Sequence, residues 1–298
     1  MSKSSTPRHY QLHLGMAQLT GRPLDGRVVL VTGANTGIGR VTARELAQQG
    51  AHVFAACRSA ERAQSVLDEI RALPDSGAVE FLPLDLGDFE SVRRCATTFL
   101  ARGLPLHVLI NNAGLAGARG FTKSGFELAF GVNHLGHFLL TQLLMDRIKG
   151  SAPARIVTVA SIAHFRAPGI DWQAVREPTR TATGLREYRI SKLANVLFSA
   201  ELGRRLNASG VSTYSLHPGV VGSDVWRSVP WPLRSLVKLA TISTQKGAQT
   251  TLHCATSPSA GKETGLYYDE CRPTVPSKLA QDTNLATQLW TRSEGWLR

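Results

Sequence analysis

RVVLVTGANTGIG, residues 27–39, is the stretch that decides the fold. RVVLVT (27–32) is a short β-branched run typical of a strand buried on both faces. Gly33-Ala34-Asn35-Thr36-Gly37-Ile38-Gly39 follows at once, and RVTARELAQQG then reads as a helix ending at Gly50. The glycines allow a tight turn and let a ligand approach the backbone closely. The free N–H groups and dipole of the helix N-terminus favour an anion such as a pyrophosphate. The spacing is G-x-x-x-G-x-G rather than G-x-G-x-x-G, but its place between a strand and a helix predicts a dinucleotide cradle.

The same alternation continues outward. AHVFAAC (51–57), AVEFLPLDL (78–86), LHVLINNAG (106–114), ARIVTVAS (154–161) and VSTYSLHPG (211–219) read as strands. Between them SAERAQSVLDEIRAL (59–73), residues 88–102, a long stretch to about Lys149 and residues 185–208 read as helices. Strands alternating with helices predict an α/β, doubly wound, Rossmann-type parallel sheet, a single domain with helices on both faces. Residues 1–24 are read as a flexible lead-in and 25–298 as the domain. Loops 162–184 and 219–245 leave the carboxyl ends of strands, where such sheets bind ligands, and are the candidate substrate walls. The second holds Val225, Trp226, Val229, Trp231, Leu233 and Leu236, which point to an apolar substrate.

Composition narrows the function. The chain has 298 residues, 43% hydrophobic and 19% charged, as expected of a globular protein with a sizeable core. No run of 18 apolar residues occurs and the first residues are polar, which predicts neither a membrane span nor a signal peptide, and a cytoplasmic location. Cys57, Cys95, Cys254 and Cys271 show no C-x-x-C spacing, and His and Cys do not cluster, so reduced thiols and no metal site are expected. The net charge of +12 is spread along the chain without a basic run. That favours anionic ligands such as a phosphorylated cofactor over nucleic acid. Peripheral contact with an anionic membrane surface stays open, with residues 225–242 as its candidate helix; a substrate lid is the favoured reading of that stretch.

Two local patterns carry chemistry. Strand two ends in Cys57-Arg58, with no acidic residue where an NAD-binding fold places one for the ribose hydroxyls, and a guanidinium there suits a 2′-phosphate; NADP(H) is the cofactor expected. Tyr188 and Lys192 lie four residues apart on one helical face, where an ammonium would lower the phenol pKa and make it a general acid/base. His134, His137 and His164 are read as packed or hydrogen-bonded histidines. Ser161 and His164 do not make a hydrolase, since G-x-S-x-G is absent.

TGANTGIG (32–39), Asp85-Leu86, NNAG (111–114), Asn133 in VNHLGHF, Ser161, YRISK (188–192) and HPG (217–219) together resemble the short-chain dehydrogenase/reductase superfamily, in family order. AACRS, SKLANVLF, HPGVV, GAQTTLHCA and GLYY look most like its retinol dehydrogenase-like branch. Two features depart from that branch. Its members commonly carry an N-terminal membrane anchor, whereas this chain opens on a polar segment, and the usual serine pair of strand five is here Ala160-Ser161.

The resemblance makes 25–298 the catalytic domain and implies roles. Tyr188 exchanges the proton, Lys192 tunes it and binds the nicotinamide ribose, Ser161 holds the reacting oxygen, and Asn133 orders a relay water. Asn112, Ala113 and Gly114 line the cofactor, Asp85 and Leu86 border its adenine, and Pro218, Gly219, Val221 and Ser223 meet the carboxamide. The expected function is hydride transfer between NADP(H) and an apolar carbonyl or alcohol, retinoid-like, aliphatic or aromatic. The alternative is a non-catalytic NADP(H)-binding regulatory protein on the same fold. Relatives often pair through the two long helices, so monomer and homodimer are both carried forward.

Overall fold

The computed structural model describes residues 21–219 and 242–297. Strand β1 (Val28–Thr32) is buried at all five positions. Val28 and Leu30 enter one core while Val29 and Val31 enter another, so both faces of the sheet are covered. Each such side chain contributes on the order of 2 kcal/mol when taken out of water. This two-sided burial is why the strand is a continuous apolar run instead of an alternating one.

The other strands are β2 (His52–Cys57), β3 (Val79–Pro83), β4 (Val108–Asn111), β5 (Ala154–Val159), β6 (Val211–His217), β7 (Leu266–Asp269) and β8 (Arg272–Pro273). The sheet order is β3-β2-β1-β4-β5-β6-β7-β8. Pairing is parallel from β3 across to β7, and only β8 runs antiparallel. The winding reverses between β1 and β4, which opens a crevice at their carboxyl ends.

The longer helices are α1 (Gly37–Gln48), α2 (Ala60–Arg71), α3 (Phe89–Leu100), α4 (Gly136–Lys149), α5 (Leu185–Arg205), α6 (Thr244–Thr256) and α7 (Thr283–Trp296). α1, α2 and α6 pack with Val29 and Val31; α3, α4 and α5 pack with Val28 and Leu30. Starts are set by side-chain caps: Ser59 accepts from the Arg62 N–H, and Asp88 from that of Glu90.

Several boundaries differ from the sequence reading. α1 starts at Gly37, so the last glycines of the cradle form its first turn. The stretch before Lys149 is divided into a short turn at Leu128–Phe130, a π-helical turn at Gly131–Leu135, and α4. Loop 162–184 contains 3₁₀ turns at Ile162–Arg166 and Ala174–Arg176. α6 begins at Thr244, inside the stretch read as loop to 245, and most of that loop lies outside the described residues.

β7, β8 and α7 were not read as elements. The two strands are too short to show a period, and α7 is held by tertiary contacts. Its Trp290 meets Phe138 edge-on at 5.0 Å and stacks on Phe198 at 6.0 Å. The Arg205 guanidinium lies 4.3 Å from the centre of the Trp290 ring. Among the described residues no helix is long and apolar enough to cross a membrane, and no group of His, Cys, Asp or Glu could hold a metal ion.

Candidate active site

A cleft of about 1530 Å³ runs along the carboxyl ends of the strands. Its first wall is the glycine turn. Gly33 and Gly37 have φ of 66° and 56°, the left-handed region that favours glycine. A Cβ on Gly39 would lie 2.3 Å from the Gly33 carbonyl oxygen, and one on Gly33 2.9 Å from the Ala113 Cα. The glycines are therefore required by close backbone approach. α1 has no acidic residue in its first turn, and Thr36 makes no side-chain cap bond to it. Asn35, Thr36, Gly37 and Ile38 all face the cleft.

Beyond β2 the cleft is lined by Arg58, Ser59, Arg62 and Ser65. Both arginines are exposed, and neither has an ion-pair partner among the described residues. Asp85 is the sole carboxylate among the lining residues described. It is held in place, accepting from the Gly87 N–H at 2.9 Å. Leu86 lies next to it on the same wall.

Thr32, at the end of β1, organises the opposite side. Its Oγ1 accepts from the N–H groups of Asn112 and Ala113, both at 2.9 Å. The Asn112 amide donates back to the Thr32 carbonyl at 2.8 Å. The Thr32 hydroxyl is also 2.8 Å from His137 Nε2. His137 Nδ1 lies 3.0 Å from the Asn133 carbonyl, which can only accept, so Nδ1 carries the proton and Nε2 accepts from Thr32. Burial pushes the imidazole down to about 4, which keeps it neutral. Asn112, Ala113 and Gly114 are thereby fixed along the cleft.

The catalytic candidates converge. Ser161, Tyr188, Lys192 and Asn133 are all buried, and the first three line the cleft. The Ser161 hydroxyl accepts from the Ala163 N–H at 3.1 Å and favours the charged form of the neighbouring Tyr188 phenol. Lys192 Nζ donates to the Val159 carbonyl at 2.8 Å and lies 5.8 Å from the centre of the Tyr188 ring. Burial holds the phenol above its ordinary value, with the Ser161 bond opposing, and pushes the Lys192 ammonium down to about 7. Both directions are those that desolvation imposes on a charged form.

Asn133 sits in the π-helical turn. Its amide clamps Leu115, accepting from its N–H and donating to its carbonyl at 3.0 Å each, and donates to Ser191 Oγ at 2.9 Å. The Leu115 main chain and the Ser191 hydroxyl thus hold this amide in place.

The histidines are packed. His134 reaches Ser293 Oγ at 3.1 Å and is pushed to about 3 by burial. His164 donates from Nδ1 to the Ser161 carbonyl at 2.7 Å and accepts at Nε2 from the Ser277 N–H at 3.1 Å. It ties the segment before α7 to the exit of β5. Pro218 and Gly219 line the far end of the cleft, whereas Val221 and Ser223 lie outside the described residues.

Sequence reasoning missed Arg62, Thr32, Ile162, Phe165, Arg166 and Arg189. Arg62 had a signal: it follows Arg58 by one helical turn behind the Ser59 cap. Thr32 lies inside the TGANTGIG match, and Ile162, Phe165 and Arg166 inside the loop named as a substrate wall, but nothing local singled them out; Arg189 had no signal beyond following Tyr188.

The sequence matches the short chain dehydrogenase family over residues 27–231. It is 46% identical to human retinol dehydrogenase 12 over 283 residues, covering 92% of this chain and 87% of the relative. The fold matches an uncharacterized Mycobacterium paratuberculosis protein with a TM-score of 0.73 at 34% identity, over 93% of this chain and 96% of that one. RhlG of Pseudomonas aeruginosa, solved as an active-site complex with NADP, matches with a TM-score of 0.65 at 26% identity, over 83% and 95%. The chain belongs to the short-chain dehydrogenase family, in its retinol dehydrogenase-like branch, and so to the nicotinamide-dependent oxidoreductases.

Proposed function

We propose that the protein is an NADP(H)-dependent oxidoreductase acting on an apolar carbonyl or the corresponding alcohol, with Tyr188 as general acid/base. The observation that carries this reading is the meeting of Ser161, Tyr188 and Lys192 on the wall of a cleft whose other end is the glycine cradle.

The cleft fits a dinucleotide. Gly33 and Gly39 sit where a Cβ would collide with backbone, and the first turn of α1 offers its amides to a pyrophosphate. Arg58 and Arg62 supply guanidinium groups for a 2′-phosphate, and no carboxylate takes the place that ribose hydroxyls would need at the end of β2. Asn112, Ala113 and Gly114 flank the middle, and Lys192, Pro218 and Gly219 the nicotinamide end. NADP(H), when bound, supplies or takes up the hydride.

The chain's own residues handle the oxygen and its proton. Ser161 and Tyr188 line the same cleft, so a carbonyl oxygen set between their hydroxyls would meet two donors as negative charge develops on it. During reduction the Tyr188 proton passes to that oxygen; during oxidation the phenolate takes it back. Lys192 donates to the Val159 carbonyl and keeps further protons for the cofactor ribose and the phenol. Asn133 holds the Leu115 turn open beside it and orders a relay water toward Lys192.

An apolar substrate is supported by Ile162 and Phe165, each 49% exposed at the cleft, and by the retinol named for the human relative. The test is a side-by-side titration with NADPH and NADH, followed by NADPH consumption against a panel of aldehydes and ketones. NADPH preference with turnover of apolar carbonyls is the expected result. NADH preference would overturn the assignment of Arg58, and binding without any turnover would leave a regulatory cofactor-binding protein.

A further inference from the structure

The cleft is basic at both ends, and the proposed cofactor accounts for only one of them. Arg58 and Arg62 stand beyond β2, whereas Arg166 and Arg189 line the same cleft on the substrate side. Arg166 ends the 3₁₀ turn that begins just after Ser161, and Arg189 follows Tyr188 in α5. Arg166 is exposed and Arg189 half-buried.

Neither guanidinium has a hydrogen bond or ion pair among the described residues, whereas two arginines nearby are engaged. Arg180 is bonded to Glu177, and Arg176 lies 4.8 Å over the Phe126 ring. The nearest carboxylate in sequence, Glu187, is turned to the N–H and hydroxyl of Thr181. On the turn from Ser161 to Arg166, Ile162 and Phe165 add an exposed apolar shelf to the same cleft.

We propose that this rim is an anion-recognition site, and that the substrate is an amphiphilic carbonyl or alcohol compound. Its reacting end meets Ser161 and Tyr188, its apolar body lies on Ile162 and Phe165, and a carboxylate or phosphate at its far end pairs with Arg166 and Arg189. The proposal rests on the oxidoreductase reading for the reacting end only. Large exposed apolar side chains beside unpaired guanidinium groups match such a molecule, and an all-apolar substrate would leave both arginines without a role. The pairing is exposed to water, so its effect is moderate and weakens with salt.

The experiment uses three probes of one chain length: octanal, 8-oxooctanoate and 8-oxooctyl phosphate. Binding is read by calorimetry with NADP⁺ present, which has no hydride to give the carbonyl, and turnover is read separately as NADPH consumption. The expected result is roughly fivefold tighter binding of an anionic probe than of octanal, shrinking as sodium chloride is raised and falling within twofold in R166Q/R189Q. The tighter of the two anionic probes identifies the end group. Equal binding of charged and uncharged probes by the unaltered protein overturns the proposal, as does a preference that survives in the double variant or is indifferent to salt. Preferential binding without turnover would sustain the rim and sink the oxidoreductase reading; equal binding and turnover of all three would do the reverse.

Discussion

Lys192 spends one of its protons on the main-chain carbonyl of Val159, 2.8 Å away, and has no carboxylate partner among the described residues. An ammonium buried this way is held at about 7 by desolvation, against an unfolded value of 10.5. Below pH 7 both states are protonated and the burial penalty is fully present. Between about 7 and 10.5 the unfolded chain binds more protons than the folded one, so stability rises with pH across that window. Lys192→Met removes the penalty, and Asn195 Nδ2, 3.2 Å from the Val159 oxygen, still satisfies that carbonyl. The variant should melt roughly 3–5 °C higher than the unaltered protein at pH 7, with the gap narrowing by pH 9.5. A gap independent of pH in scanning calorimetry would contradict this account.

Tyr188→Phe keeps the ring in its buried place and removes the proton. Cofactor affinity should stay within about twofold while kcat falls by roughly 10²–10⁴. Ser161→Ala should also lower kcat, because it takes away the second donor to the oxygen. Pre-steady-state NADPH consumption measures both, and near-full activity in Tyr188→Phe would remove the phenol from the mechanism.

Arg58→Asp places a carboxylate where a 2′-phosphate would sit. NADPH should bind about tenfold more weakly and NADH no more than about threefold, given the exposure of the guanidinium. Fluorescence titration with the two nucleotides reads the ratio. Equal loss of both would show that Arg58 acts on the fold of the β2 exit and not on the phosphate.

Thr32→Val keeps the shape of a fully buried side chain but leaves the N–H groups of Asn112 and Ala113 and the His137 Nε2 without a partner. Unsatisfied buried groups cost about 1–3 kcal/mol each, so a loss of roughly 3 kcal/mol is expected in urea unfolding. Thr32→Ser restores the hydroxyl and should recover most of it. If Val and Ser behave alike, the hydroxyl is not what fixes the β4 exit.

What could be read from the sequence was whatever is carried by neighbours along the chain. The cradle from Gly33 to Gly39 is a single turn, and Tyr188 and Lys192 share one helical face, so local spacing exposes both. The alternation of apolar strands with helices likewise gave the parallel sheet and its first six strands. Thr32 and His137 stand 105 residues apart and meet only because β1 and the start of α4 flank β4. The π-helical turn at Gly131–Leu135 depends on Asn133 clamping Leu115, eighteen residues upstream. α7 was missed for the same reason: Trp290 finds Phe138 and Phe198 only after α4 and α5 are in place. The raising of the phenol and the lowering of the ammonium follow from burial, which spacing along a helix does not report.

Both outer strands of the sheet contain a proline. β3 ends at Pro83 and β8 is only Arg272 and Pro273, directly after two residues with φ of 45° and 61°. Proline has no N–H to offer a ladder, and a two-residue strand gives an incoming chain almost nothing to copy. Among the described residues, the Pro83 end of one flank and the whole of the two-residue β8 on the other thus present little ladder for a further strand, which disfavours strand-to-strand joining of two copies there.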